Sequence, residues 1–361
     1  MVTTLAPAPR RQRTRLAALD GLRLICALAV AGYHYGVSWR IDGVRPPTTF
    51  LPNAAHLLVY GFLGVEAFFM ISGFVIGMSG WDRRPRDFLV ARFLRLYPAF
   101  WVCVFVTVTV VVLLPVTTGV PYGSSLSLSD VLLNLTMAPQ PLGATLVDSV
   151  YWTLWCELRF YLVFAVLIAI GLTRRRVEVF CSVWLVAAVA GPSWVMPDYA
   201  PYFVGGLALY LLHRFGPHWV TWCLIGASWA LGMARVAGRV AALSPGFEVP
   251  VLPARIILSL AYGVLIAIAL GATRRVTWGW LSTAGALTYP FYLLHQRIGY
   301  ALLRRGYEHT GLPVWSLIAG TIAAMLGLAW MVHRCAERPV AAWLGRRLAG
   351  AGLSRRPAKA G

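Results

Sequence analysis

Charge is scarce in this chain of 361 residues, where Asp, Glu, Lys and Arg together make up 12%. Acid is scarcer still, with 13 Asp and Glu against 32 Lys and Arg, and a single one of the basic residues, Lys359, is a lysine. So few charges cannot cover a water-facing surface, which excludes a separate soluble domain. No two of the six cysteines stand at metal-ligand spacing, so no metal site is expected. Cys26, Cys103, Cys156, Cys181 and Cys223 fall in or beside apolar runs, with Cys335 just beyond the last, and all read as buried small hydrophobes. There is no P-loop, no Gly-rich dinucleotide turn and no internal repeat. The first apolar stretch lacks a small-residue cleavage site and is too long for a signal peptide, so it is read as a retained helix.

Apolar residues account for 59% of the chain. They come in blocks of about 20, the length that crosses ~30 Å of hydrocarbon. The fold class is therefore all-α integral membrane. About ten transmembrane helices are expected, at roughly 16–39, 57–79, 97–115, 149–170, 177–193, 199–213, 218–234, 254–271, 279–303 and 313–333. An amphipathic stretch, Ser129–Met137, is expected at the interface. On this layout most arginines alternate onto one side. The leader Arg10–Arg15, the loop Arg83–Arg95, Arg174–Arg176, Arg274–Arg275 and the tail from Arg334 all face the same way, which makes both termini cytoplasmic. Topology and anionic lipid thus account for the net charge of +19, with no nucleic acid implied. Residues 1–345 form one transmembrane domain, and 346–361 a basic, flexible cytoplasmic tail.

Five clusters place polar groups inside apolar segments, where they are costly. Arg23 and His34 lie eleven residues apart in the first span. They share a helix face and are separated by a rise of roughly 16 Å, a permanent charge at one end and an imidazole at the other. Glu66 and the Ser72-Gly73 step interrupt the second span, and the small residues alone also suit close helix packing. Arg92 and Arg95 project from one side of a helix, as a fork-shaped phosphate clamp or as a positive-inside anchor. Glu157 and Tyr161 share a face at i,i+4, where the carboxylate can orient a histidine or bind a sugar hydroxyl. Finally, Pro290, Tyr292, His295 and Arg297 stand together in the ninth span.

In order along the chain these segments resemble the acyltransferase-3 family of integral-membrane O-acyltransferases. The resemblance rests on Leu19-Asp20-Gly21-Leu22-Arg23 followed by His34, and on Phe68-Phe69-Met70-Ile71-Ser72-Gly73-Phe74. Arg92-x-x-Arg95-x-x-Pro98, Glu157 with Tyr161, Phe291-Tyr292-Leu293-Leu294-His295 and Glu337-Arg338-Pro339 complete it. Glu66 stands where the family usually has Asp, and Thr153 where it often has Ser. No extracellular hydrolase-like domain follows the last helix, so a stand-alone member is expected.

The resemblance implies transfer of an acetyl or longer acyl group from acyl-CoA to a hydroxyl, commonly of a carbohydrate, glycolipid or glycosylated metabolite. Acyl-CoA is a substrate, and no bound cofactor is implied. On this reading His34 is the general base, Glu157 an orienting or acceptor-binding group, and Arg23 a partner for a phosphate or the developing thiolate. Arg92, Arg95 and Ser72 hold the donor, while Glu66, Tyr161, Tyr292 and His295 meet the substrate. A covalent acyl group on Ser72 or His34 is the less favoured route, since no base beside Ser72 can be named from sequence. A transporter or flippase of a lipid-linked sugar is the rival reading; the lack of an inverted repeat argues against it. The dominance of Arg over Lys, with richness in Ala, Val and Gly, points to a high-GC bacterium and its cytoplasmic membrane.

Overall fold

The computed structural model describes residues 16–121, 125–243 and 246–350, and within them every regular element is a helix. In order these are α1 (Ala17–Gly36), α2 (Pro52–Leu58), α3 (Gly64–Gly80), α4 (Pro85–Leu113), α5 (Leu128–Asn134), α6 (Trp152–Ile170) and α7 (Arg174–Ala190). Then follow α8 (Ala200–Phe215), α9 (Trp219–Ala241), α10 (Val251–Ala269), α11 (Gly279–Thr310), α12 (Val314–Val332) and α13 (Arg338–Gly350). A π turn, His333–Glu337, joins the last two.

Seven helical stretches among the described residues are long and apolar enough to cross a membrane. The other three expected spans fall on α7, α8 and α11. The first two have 17 and 16 residues, short of ~20. α11 is long enough, but His295, Gln296, Arg297, Arg304 and Arg305 dilute it. Large apolar side chains such as Val166, Val183, Val186 and Leu260 face outward, as a hydrocarbon solvent requires, and Trp194, Trp219, Trp278 and Trp315 are exposed near helix ends.

α8 is buried from Ala200 to Leu212 and forms the centre of the bundle, packed on α3. Two glycines allow that contact. A Cβ on Gly206 would lie 2.0 Å from the Met70 carbonyl oxygen, and one on Gly73 would lie 2.3 Å from that of Phe203. The Ser-Gly step of α3 therefore includes the packing role expected of small residues. α1 docks on α11, which also meets α12 and α4.

Several helices outrun the apolar blocks. α4 begins at Pro85, well before the expected 97, and α11 ends at Thr310 rather than 303. The helical backbone continues past the hydrocarbon-matching segment, carrying Arg92 and Arg95 on regular turns. The expected interfacial stretch forms α5, started by a Ser127–Asp130 capping box. The Ser127 hydroxyl and backbone N–H hold the Asp130 carboxyl below its usual range. Past Trp343 the expected flexible tail is helical to Gly350 within α13, which packs on α4; the remainder of the tail and the leader arginines lie outside the described residues. Cys223 and Cys335 are exposed, unlike the other four cysteines, because they sit on outward-facing positions.

Candidate active site

Three cavities follow one another through the bundle. A mouth at the start of α1 is bordered by Asp20, Arg23, Arg95 and Gly285. The last three of these also line a second space, the inner cavity, of about 120 Å³. Beyond it lies an outer chamber of about 300 Å³ at the other end of α1, where His34 forms part of the wall. Val65 and Tyr292 line both the inner cavity and the outer chamber.

The inner cavity collects Arg23, Ser72, Arg92, Arg95, Glu157, Tyr161 and Tyr292, which the sequence places on α1, α3, α4, α6 and α11. Its polar groups engage one another. Ser72 donates a 2.9 Å hydrogen bond to Glu157 Oε1, and the Tyr161 hydroxyl donates to the same oxygen. Arg95 is paired with Glu337 at 2.8 Å, and Glu337 also meets His333 at 2.7 Å. The Glu337-Arg338-Pro339 motif thus reaches the cavity by holding Arg95. Arg92 has its guanidinium 5.9 Å above the Phe88 ring, and its buried Nε has no hydrogen-bond partner.

Glu157 bonds to Ser72 and Tyr161 and to neither histidine. Arg23 lies with Arg92 and Arg95, about three helical turns from His34.

The outer chamber is built by long-range pairs. His34 Nδ1 lies 2.8 Å from His295 Nε2, with the rings stacked at 5.1 Å. His295 Nδ1 is 2.8 Å from the Tyr292 carbonyl oxygen, which can only accept, so Nδ1 carries the proton. His295 is wholly buried, and an imidazolium there would be costly. Neutral His295 therefore accepts at Nε2 from His34 Nδ1–H, and His34 Nε2 keeps a free lone pair. The Tyr35 hydroxyl fixes the α1–α11 contact by donating to the His295 carbonyl at 2.5 Å.

His295, expected to meet substrate, is instead sealed behind His34 with both ring nitrogens engaged. Glu66 changes in the same way: it is 1% exposed and lies 3.1 Å from Arg239 Nη2. Arg239, not Glu66, reaches the chamber wall, beside Tyr33, Phe62, Trp152 and Tyr199. Its Nη1 donates to the Tyr199 hydroxyl at 2.8 Å. Arg239 was absent from the sequence-level site because α9 was expected to end near 234; the one available signal was that Glu66, deep in an apolar helix, needed a cation.

The turn before α6 is anchored to the middle of α11. Asp148 accepts from the Arg297 backbone N–H at 2.9 Å, the Arg297 side chain donates to the Val147 carbonyl at 2.8 Å, and Ser149 bonds Gln296. This tie sets Thr153 against Tyr292, whose hydroxyl lies 3.2 Å from that of Thr153.

A family model described as an acyltransferase domain, acyltransferase-3, matches residues 16–334. The chain is 27% identical to the acyltransferase MdmB of Streptomyces mycarofaciens, over 92% of this chain and 93% of that protein. It is also 27% identical to the exopolysaccharide production protein ExoZ of Rhizobium meliloti, over 85% and 98% of the two chains. A shorter match, 30% identical, links 27% of this chain to 14% of the peptidoglycan O-acetyltransferase OatA of Listeria monocytogenes. No solved structure matches.

Proposed function

Because the chain belongs to the acyltransferase-3 family, a membrane acyltransferase family, we propose that it moves an acyl group from acyl-CoA to a hydroxyl of a carbohydrate or glycosylated molecule. The observation that carries this reading is a succession of cavities running from an arginine-lined mouth to a histidine with one free nitrogen. Positive-inside arginines put the mouth on the cytoplasmic side, where acyl-CoA is found. Arg23, Arg92 and Arg95 offer guanidinium donors to its phosphates, and the pantetheine arm extends through the inner cavity toward His34.

The acceptor lies in the outer chamber. Its aromatic walls suit the C–H face of a sugar ring, and Arg239, neutralised by Glu66, supplies hydrogen-bond donors without net charge. His34 Nε2 takes the proton of the acceptor hydroxyl as its oxygen attacks the thioester carbonyl. The tetrahedral intermediate collapses, the C–S bond breaks, and the ester forms. The imidazolium then returns the proton to the departing CoA thiolate, giving free CoA. Relatives named for exopolysaccharide production and peptidoglycan O-acetylation favour a carbohydrate acceptor.

A covalent route gains one supporting observation, the 2.9 Å contact from Ser72 Oγ to a carboxylate. Ser72, however, lines the inner cavity and not the chamber of His34. Direct transfer keeps the acceptor, the base and the thioester in one place.

The decisive experiment incubates the purified protein with radiolabelled acetyl-CoA and membranes of a producing bacterium, following free CoA and label in glycan, lipid and small-molecule fractions. Stoichiometric release of CoA with labelled, alkali-labile ester supports the proposal. Intact acetyl-CoA alongside movement of a lipid-linked sugar across vesicles would support a transporter instead.

A further inference from the structure

The inner cavity and the outer chamber share two wall residues, Val65 and Tyr292. Tyr292 is held from several directions. Its ring meets Phe68 edge-on at 5.5 Å, its hydroxyl lies 3.2 Å from Thr153 Oγ1, and its own carbonyl fixes His295 Nδ1. The ring is 9% exposed, so little of it is free to swing into open space. One residue therefore walls off the chamber with its side chain and sets the tautomer of the histidine pair with its backbone.

We propose that the Tyr292 ring and Val65, which line both spaces, form the partition at which the acyl group of the donor is measured, making these two residues the determinants of acyl-chain length. The inference rests on the acyl-CoA reading above. If the phosphates sit at Arg92 and the thioester must come within reach of His34, the acyl group is the leading end of the donor. It is the part that meets the partition. A rigid apolar wall discriminates single methylenes by ~10–200-fold. Phe68 supports the ring from the inner side, and the Thr153 hydroxyl anchors the tip of the ring, so the side chain is held against swinging out of the opening.

The test needs no acceptor. Dissociation constants for CoA, acetyl-CoA, butyryl-CoA and hexanoyl-CoA are measured by calorimetry on the purified protein and on Tyr292→Phe, Tyr292→Ala, Val65→Ala and Val65→Phe. Removing the ring should shift the hexanoyl-to-acetyl affinity ratio toward the longer chain by at least ~10-fold, the lower end for one or more methylenes. Val65→Ala should shift it the same way by less, and Val65→Phe the opposite way. Tyr292→Phe, which keeps the ring, should leave the ratio within about twofold, and affinity for CoA itself should stay constant throughout. An unchanged ratio in both alanine variants overturns the inference while leaving donor binding intact. If Tyr292→Ala fails to fold, the two Val65 variants decide alone. Failure of the unaltered protein to bind any acyl-CoA overturns the donor reading, and this inference with it.

Discussion

The inner cavity and the outer chamber draw their polar groups from the sequence in different ways. At the inner cavity, Arg92 with Arg95 and Glu157 with Tyr161 are helical neighbours at i,i+3 and i,i+4, so each pair faces one direction by helix geometry alone. At the outer chamber the imidazole and the guanidinium are completed from far along the chain: His34 by His295, 261 residues away, and Arg239 on α9 by Glu66 on α3. The inner arginines and Glu157 are partly exposed and can rearrange around a ligand. The outer pair, His34 and Arg239, are themselves half-buried but are each held by a fully buried partner, His295 and Glu66. A donor site that releases CoA each turnover suits the first construction, and a base whose lone pair must point one way suits the second.

If that division holds, chemistry should fail at one end while binding survives at the other. His34→Ala should lower acyl transfer by ~10²–10⁴-fold, the range of a lost general base. Acyl-CoA affinity, read by calorimetry, should change by less than about twofold, because His34 lies outside the inner cavity. A comparable fall in donor affinity would merge the two regions into one site.

The fixed character of the chamber can be broken through its ion pair. Glu66→Gln leaves the Arg239 guanidinium facing a neutral group, and removing one partner of a buried pair costs ~3–5 kcal/mol. Arg239 is 28% exposed, so the lower end, about 3 kcal/mol, is expected in denaturant unfolding in detergent. Glu66→Gln combined with Arg239→Gln should be milder than Glu66→Gln alone. Additive losses would mean that the pair does not interact.

The mouth should yield a smaller effect. Arg92 has a buried, unpartnered Nε, whereas Arg95 already bonds Glu337. Arg92→Lys replaces a planar fork by a point charge, and a lost hydrogen bond to a charged group is worth ~1.5–3 kcal/mol, or at least about tenfold in acyl-CoA affinity. Arg95→Lys should weaken the donor less, since its positive charge stays with Glu337. Equal affinity in both lysine variants and in Arg92→Ala would make Arg92 a topological anchor and leave Arg23 as the phosphate partner.

How far the sequence reaches follows the same division. Hydropathy marks where a segment matches hydrocarbon, not where its helix ends. Arg239 was therefore missed beyond the expected end of α9, and α4 was started late although Pro85 and the regular Arg92–Arg95 spacing continue its helix. α8, expected as a span, has 16 residues and lies buried among other helices, a central placement that composition does not reveal. Many of the polar residues that line the two cavities are legible in the sequence, because a buried charge or imidazole in an apolar run is costly wherever the fold puts it. Their partners were not. Nothing in the local pattern around Glu157 shows that it bonds Ser72 instead of a histidine, or that His295 stands behind His34 and not at the surface of the chamber.

The smallest expected effect tests that last pairing most closely. With His295 neutral and protonated at Nδ1, the His34 ring holds its own proton at Nδ1 and leaves Nε2, the proposed base, unprotonated. His295→Ala removes the acceptor, and His34 can then carry its proton on either nitrogen, so only part of the population is competent. One net hydrogen bond is worth ~0.5–1.5 kcal/mol, which places the loss in kcat at up to about tenfold. KM for acyl-CoA should not move, since His295 borders neither cavity. His295→Gln offers a carbonyl oxygen that can accept from His34 Nδ1–H, and it should recover much of the alanine loss. A purely packing role predicts another pattern: glutamine, which fills the space only approximately, would then lose stability and kcat together. Equal kcat in the alanine variant and the unaltered enzyme would show that His34 needs no fixed tautomer, and the outer chamber would lose the rigidity that sets it apart from the inner cavity.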